Sequence, residues 1–410
     1  MLNILWTSFF LAGFVAALYQ AIFLGNHEIW NTLSEQLFAS ATNAFTLALN
    51  LTGMLCLWLG LLKIAEKSGI TSFLARCLSP LFKVIMPEIP HNSPALGSIV
   101  MNMAANILGL DNAATPMGLK AMEQMQVYNK RKDTASNAEI MFIVINASAI
   151  TILPISILMY RNLQGATNPG AVFVPILLAT SCSTLAGFLA VSFAQKINIF
   201  NRTVLAYTLG LIALIGAICG LFLSLSPEIR LHFSETVGNG LILFFIALFL
   251  LFGAVKRLNL YETFIEGAKE GFNIAVQIIP YLVAMLTAIA VLRYSGVLDG
   301  FVWCFEKLFS FTGMNTDFIP ALPTAFMKPL SGNGARAMML ETMQNYGPDS
   351  FPAFVSSVMQ GSTETTFYVI ALYFGAIKVV KTRHALPCAL FADFIGFIAA
   401  IIFSYIFYQG

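Results

Sequence analysis

Long apolar runs dictate what this chain can fold into. Residues 6–24, 204–224, 240–255 and 384–408 are stretches of this kind, and roughly 20 helical residues cross the hydrocarbon core of a bilayer. Only 10% of the 410 residues are charged, whereas a soluble domain carries about 25%. So few charges cannot cover a water-facing surface, and the implied class is an all-α integral membrane protein. Residues 1–24 lack a basic start, and no small-x-small cleavage site precedes Asn26 and His27. They are expected to remain as the first span. The six cysteines stand singly in apolar segments and are expected to be small buried hydrophobes, not ligands or disulfides. A net charge of +2 gives no ground for a nucleic-acid partner.

The chain also repeats itself. At a spacing of 227 residues Glu35 matches Glu262, and Ser68-Gly69-Ile70 matches Ser295-Gly296-Val297. Further along, Glu123-x-Met125-Gln126-x-Tyr128 aligns with Glu341-x-Met343-Gln344-x-Tyr346. Ser136 and Asn146-Ala147-Ser148 fall on Ser350 and Gln360-Gly361-Ser362. Ordered polar matches of this kind are the mark of an internal repeat. Nine spans are predicted, at 4–24, 46–66, 137–160, 170–195, 203–225, 237–255, 274–292, 350–376 and 384–408. Segments 92–127 and 317–346 mix polar, Gly and Pro residues with short apolar runs. They read as re-entrant helical hairpins, because broken backbone at membrane depth must be enclosed by protein or water.

Basic residues orient these spans. With the N-terminus inside, sixteen Lys and Arg fall on the cytoplasmic side; only Arg161, Arg230, Arg293 and Lys307 fall outside. Lys328 and Arg336 lie within the second hairpin. The extra span 203–225 shifts the second half by one crossing, so the repeat is inverted and the C-terminus lies outside. Inverted repeats with discontinuous helices characterise many secondary transporters. Segments 34–45, 70–84, 261–273 and 297–311 are predicted as amphipathic interfacial helices. The organisation is a first repeat over 1–202, an inverting span and linker over 203–236, and a second repeat over 237–410.

Polar chemistry concentrates in three places. In the first hairpin Asn102 and Asn106 share a helical face. Gly109 breaks the helix, and Asp111 or Asn112 can cap the returning one, near Thr115 and Pro116. A helix end at the midplane offers N–H groups to an anionic or polar solute; equally, such amides can glue helices together. The second tip holds Lys328, Ser331, Asn333 and Arg336, suited to a carboxylate or phosphate, or to an internal ion pair with Glu364 or Glu341. The third cluster runs from Gln360 through Ser362, Thr363 and Glu364 to Thr366. An acid inside a span is a functional hypothesis by default; Glu364 would bind a coupling cation, carry a proton or neutralise Arg336. Asn146 and Ser148 form the milder counterpart in the first half, where Pro154 is expected to kink the helix. Asp393, in the last span, reads chiefly as a partner for a neighbouring helix. No Walker, GxSxG or His-Glu-x-x-His motif and no histidine cluster is present, so neither enzyme chemistry, a metal nor a cofactor is expected.

The stretch from Gly97 to Asn106, with Asn112-Ala113-Ala114-Thr115-Pro116-Met117-Gly118, and Asp133-Thr134-Ala135-Ser136-Asn137-Ala138 resemble the spore maturation protein A family. Gly347-Pro348-Asp349-Ser350-Phe351, Gly361-Ser362-Thr363-Glu364-Thr365-Thr366 and Lys381-Thr382-Arg383-His384-Ala385-Leu386-Pro387 resemble the spore maturation protein B family. The chain looks like a fusion of the two. That resemblance implies the nucleoside-recognition or Gate domain, similar to parts of concentrative nucleoside transporters, where hairpins and unwound helices hold nucleoside and coupling ion. Ser362-Thr363-Glu364 resembles the Gln-Thr-Glu element of that family, with Ser at its first position.

The expectation is a secondary transporter in a bacterial inner membrane for a nucleoside-like, anionic or zwitterionic solute. Asn102, Asn106, Asn112, Thr115, Asn146, Ser148, Ser331, Asn333, Arg336, Gln360, Ser362 and Thr363 are the candidate solute residues. Glu364 is the candidate for a coupling cation or proton. The expected partners are lipid, solute and that cation, with homo-oligomers compatible. A membrane scaffold or regulator is the alternative.

Overall fold

The computed structural model describes the backbone of residues 2–109, 111–310, 313 and 315–408; side chains are described for these except 2, 3, 5, 111–113 and 227–239. In chain order the helices are α1 (Leu2–Phe23), α2 (Ile29–Ser68), α3 (Ile70–Ile85), α4 (Pro94–Ile107), α5 (Asp111–Tyr128), α6 (Asn137–Ala147), α7 (Ile155–Leu163), α8 (Phe173–Gln195) and α9 (Arg202–Ser224). There follow α10 (Pro227–Val255), α11 (Leu260–Tyr294), α12 (Val297–Ser310), α13 (Leu322–Met327), α14 (Gly332–Tyr346), α15 (Phe351–Ser362), α16 (Thr366–Ala376) and α17 (Ala385–Phe407). Among the described residues there is no strand, only an isolated bridge between Thr134 and Lys381.

Among the described residues six helices are long and apolar enough to cross a membrane: α1, α2, α8 with its leading turn, α9, α11 and α17. The 40 residues of α2 extend about 60 Å at about 1.5 Å each, twice the hydrocarbon core. Separate interfacial helices over 34–45 and 261–273 are therefore not observed. Each is the first part of a long helix, because no residue at the junction interrupts the backbone ladder. Thr42 and Thr46 bond back to the Phe38 and Thr42 carbonyls at 3.1 and 3.0 Å. Separate helices do form over 70–84 and 297–310, as α3 and α12; residue 311 lies outside the described residues. Gly69 (φ 87°) and Gly296 (φ 76°) turn the chain into them through left-handed backbone.

The segments 137–160 and 350–376, predicted as single spans, are each broken into two short helices. Pro154 has no N–H to give, and Ile150, Thr151 and Ile152 are β-branched, so α6 stops and α7 restarts at Ile155. In the second half α15 ends at Ser362, and Thr363 and Thr365 are extended before α16 begins. Segments 92–127 and 317–346 form helix–turn–helix pairs, α4–α5 and α13–α14. A long helix, an arm, a helix–turn–helix and a broken helix thus follow one another twice.

Local chemistry starts these elements. Ser93 accepts from the Ala95 N–H ahead of α4, and Ser331 from the Gly334 N–H ahead of α14. Ser136 and Glu139 form a capping box on α6, and Ser350 caps α15. The long helices α2 and α11 lie against each other, and α17 packs on α8. Residues 138–147 of α6 are all buried, so α6 and most of α15 form the centre of the molecule.

Candidate functional site

Both helix breaks meet both turns at one junction. The Ile152 N–H donates to the Ile107 carbonyl at the end of α4 (2.9 Å), and the Phe367 N–H to the Pro329 carbonyl in the α13–α14 turn (3.0 Å). Each break is therefore tied to the turn of its own half. The halves are also tied together, because the Glu364 N–H donates to the Ala147 carbonyl at 2.8 Å. Thr184 on α8 covers the Ser148 carbonyl. Backbone freed by the breaks is satisfied by protein, which is what such segments require at apolar depth.

A cavity of about 200 Å³ opens at this junction. Its polar wall comes from Lys328 and Arg336 of the second turn and α14, and from Gln360, Thr363, Glu364 and Thr365 around the second break. The first half contributes Gly109, Thr151 and Ser156, and α2 supplies an apolar side of Leu55, Trp58, Leu59 and Leu62. The charges are one-sided: two cations and one carboxylate, all from the second half. Arg336 stands over the Tyr160 ring, 5.4 Å from its centroid, and donates to Asn333 Oδ1 at 3.1 Å. Glu364 is exposed, while Gln360 and Thr363 are buried with Gln360 Oε1 and Thr363 Oγ1 lacking a hydrogen-bond partner.

Four of the candidate binding residues read from sequence, Arg336, Gln360, Thr363 and Glu364, line the cavity. Most of the others serve the surrounding frame. Asn102 donates to the Ala114 carbonyl at 2.7 Å, holding α4 to α5. Asn106 donates to Asn146 Oδ1 at 2.7 Å, and Asn146 to the Phe142 carbonyl at 2.9 Å. Ser148 and Ser362 bond back into their own helices, to the Val144 and Met359 carbonyls. Ser331 is the α14 cap, and Asn333 holds Arg336. Thr115 is half-buried on α5 and is not on the cavity wall. The Asn112 side chain lies outside the described residues.

Thr365, within the third cluster, also lines the cavity, as do Trp58 and Ser156, which the sequence did not single out; the one signal for Trp58 is its helical spacing with Leu55, Leu59 and Leu62. The ion pair considered between the second turn and Glu341 is not formed that way. Glu341 pairs with Arg293 of α11, which also holds Asp299 of α12. Asp393 does bond a neighbouring helix, accepting from the Thr366 hydroxyl at 2.7 Å.

Comparison with known proteins gives a consistent result. The family profile Gate, described as nucleoside recognition, matches residues 48–163 and 275–379. Over 157 residues the chain is 47% identical to spore maturation protein B of Bacillus subtilis (strain 168), covering 38% of this chain and 86% of that protein. Over 183 residues it is 37% identical to spore maturation protein A of the same organism, covering 45% of this chain and 90% of that protein. The two matches fall on different parts of the chain, consistent with a fusion. No solved structure matches it.

Proposed function

From the premise that this multi-pass membrane protein belongs to the Gate, or nucleoside-recognition, family, we propose that it is a secondary transporter of a small polar solute. The observation that carries this reading is the cavity at the junction of both breaks and both turns. In it, Arg336 and Lys328 meet the anionic part of a nucleoside-like, anionic or zwitterionic solute. Glu364 meets a cationic part or a coupling ion, and Trp58 offers an aromatic face. The twice-used order of elements supports an inverted repeat, in which α4–α5 and α13–α14 enter the bilayer from opposite sides as re-entrant hairpins. The excess of Lys and Arg on one side supports an inner-membrane topology with the N-terminus inside and the C-terminus outside. The six long helices, α10 and the two broken helices then make up the nine spans read from sequence, with the two hairpins additional to them. On this reading the chain moves its ligand without chemical change, and breaks and turns shift together to open the cavity on alternate sides.

A second reading rests on the names of the two relatives: a non-transporting scaffold or regulator of the spore-maturation type. One experiment separates them. Purified protein is screened by thermal shift against nucleosides, amino acids, dipeptides and carboxylates, and the stabilising class is then tested for uptake into proteoliposomes. A transporter gains stability with one class and takes it up. Arg336→Gln should weaken binding by about tenfold or more, since a hydrogen bond to a charged group is worth about 1.5–3 kcal/mol. A scaffold shows no ligand-dependent shift, and neither Arg336→Gln nor Glu364→Gln changes its behaviour; that result would sink transport.

A further inference from the structure

Asp393 is a deeply enclosed acid within the last long helix, and the transport reading gives it no part. It is 1% exposed and lies in α17, where Ala392 beside it meets Gly187 of α8 and Gly396, three residues on, meets Thr363 and Ser183. Oδ2 accepts from Thr366 at the start of α16 (2.7 Å), while Oδ1 has no partner. Thr363, on the break, is 3% exposed, and its enclosed hydroxyl stands close enough to interact with Asp393, although no hydrogen bond of good geometry forms between them. The fit around them is tight. A Cβ at Gly396 would come within 2.9 Å of Thr363 Cγ2 and 3.2 Å of Ser183 Oγ on α8. The charged groups facing Asp393 are Lys328 from the second turn and Glu364 from the break; on α8 the Ser183 hydroxyl donates to the Ala392 carbonyl.

A carboxylate removed from water needs either a proton or a positive charge close to its oxygens. Here a carboxylate and two threonine hydroxyls lie together in one enclosed, closely packed layer that Lys328 also faces. We propose that Asp393, with the hydroxyls of Thr363 and Thr366, is the site of the coupling cation, a proton or Na⁺. It lies behind the solute cavity rather than in it. Glu364 is open to the cavity, so it meets solute and solvent directly, whereas Asp393 is buried and is not on the cavity wall. Thr363 belongs to both layers: its residue lines the cavity, and its hydroxyl lies on the Asp393 side. A cation bound there fixes the break in the form that shapes the cavity, which couples the two ligands by a shared element. The coupling role rests on the transport reading; the cation site itself does not.

The test uses the full chain in detergent or nanodiscs. Infrared difference spectra are recorded from about pH 5 to about pH 9, a range in which buried carboxyl groups titrate, and thermal stability is titrated with NaCl against choline chloride. A proton site gives a carboxylic-acid band that changes with pH and is lost in Asp393→Asn. A Na⁺ site gives a Na⁺-specific stabilisation that is lost in Asp393→Asn and needs at least about tenfold more Na⁺ in Thr366→Val, as expected for one lost oxygen ligand. Should Asp393→Asn not fold, Asp393→Glu, which keeps the acid and displaces its band, identifies the signal. Wild-type protein that shows neither response overturns the proposal. Solute uptake that is independent of pH and Na⁺ leaves transport standing and removes this site. Cation binding at Asp393 without any solute uptake does the reverse.

Discussion

His384 shows how much one polar side chain can decide at the edge of such a protein. Gln195, at the end of α8, donates through Nε2 to the Asn137 carbonyl at the start of α6 (2.9 Å), and the same nitrogen lies 3.1 Å from His384 Nε2. An amide nitrogen can only donate, so the imidazole accepts at Nε2 and carries its hydrogen on Nδ1. Burial, and then the neighbouring Arg383, hold its pKa below the ordinary 6.5. The sign follows from linkage. A depressed folded-state value makes the stabilisation fully present above pH 6.5 and lost as pH falls through the folded-state value, with at most one proton taken up on unfolding. Thermal stability of the wild type should therefore fall below about pH 6.5, and His384→Gln should flatten that part of the profile; an unchanged profile would refute the link. The same residue scale explains where sequence reasoning stopped. Asn102 and Asn106 are recognisable as two amides on one helical face, but only the packed structure shows them directed at Ala114 and Asn146. A polar residue in an apolar helix declares that it needs a partner, without saying whether that partner is solute or backbone.

Among elements, the α2–α11 pair carries the frame on which the site is hung. Gly267 and Gly271 stand four apart on α11, the small-xxx-small spacing that lets helices approach closely in lipid. A Cβ at Gly271 would lie 2.6 Å from the Leu55 carbonyl oxygen and 2.8 Å from Cys56 Cα. At the cavity side, Leu55 and Leu59 of the same stretch of α2 face Arg336 and Glu364. Gly271→Leu should thus force the helices apart and destabilise the protein by about 1–3 kcal/mol, the range for overpacking. It should also weaken ligand binding although residue 271 does not line the cavity. Gly53→Leu, on the same helix pair but with nothing within 4 Å of its Cβ position, is the control and should have little effect on either. The Gly spacing was available in the sequence, as were Gly69, Gly296 and Pro154, and these mark real element ends. The continuity of α2 and α11 was less legible, because an amphipathic stretch looks alike whether it ends at an interface or runs on into a span. Thr363-Glu364-Thr365 looked like a polar patch within a span, since no Gly or Pro stands among those three to mark the break.

At the scale of the whole molecule, the two sequence repeats do not form two bodies. The chain before α15 and the end of α7 are held together by Arg161, which is 2% exposed, stacks on Phe354, and bonds Ser357 (3.3 Å) and Asp349 (3.6 Å). The chain before α6 and the chain after α16 are held together in the corresponding way. Asp133 pairs with Lys381, its carbonyl accepts from the Val380 and Lys381 N–H groups (2.9 and 3.0 Å), and Arg383 reaches the Ala135 carbonyl. Each half thus clasps the broken helix of the other. Between these clasps the contact is apolar: the Phe142 and Tyr373 rings lie 5.6 Å apart edge to face, and a Cβ at Gly118 would strike the Tyr373 ring. Buried contacts across the halves at α6–α17, α5–α16 and α15–α8 leave neither half with a complete core of its own. Expressed alone, residues 1–202 or 203–410 should aggregate or be degraded, since each would expose surface that the other covers. Expressed together they should copurify as one complex with the ligand response of the intact chain. Separating Arg161 from Asp349 by Asp349→Ala should loosen that complex more than Lys381→Ala does. Arg161 is left buried with less compensation, whereas Asp133 and Lys381 are both solvent-exposed and their clasp is held mainly by backbone hydrogen bonds. Two halves that each purify as stable single species would show that the repeats are independent domains, and the interleaved core described here would have to be abandoned.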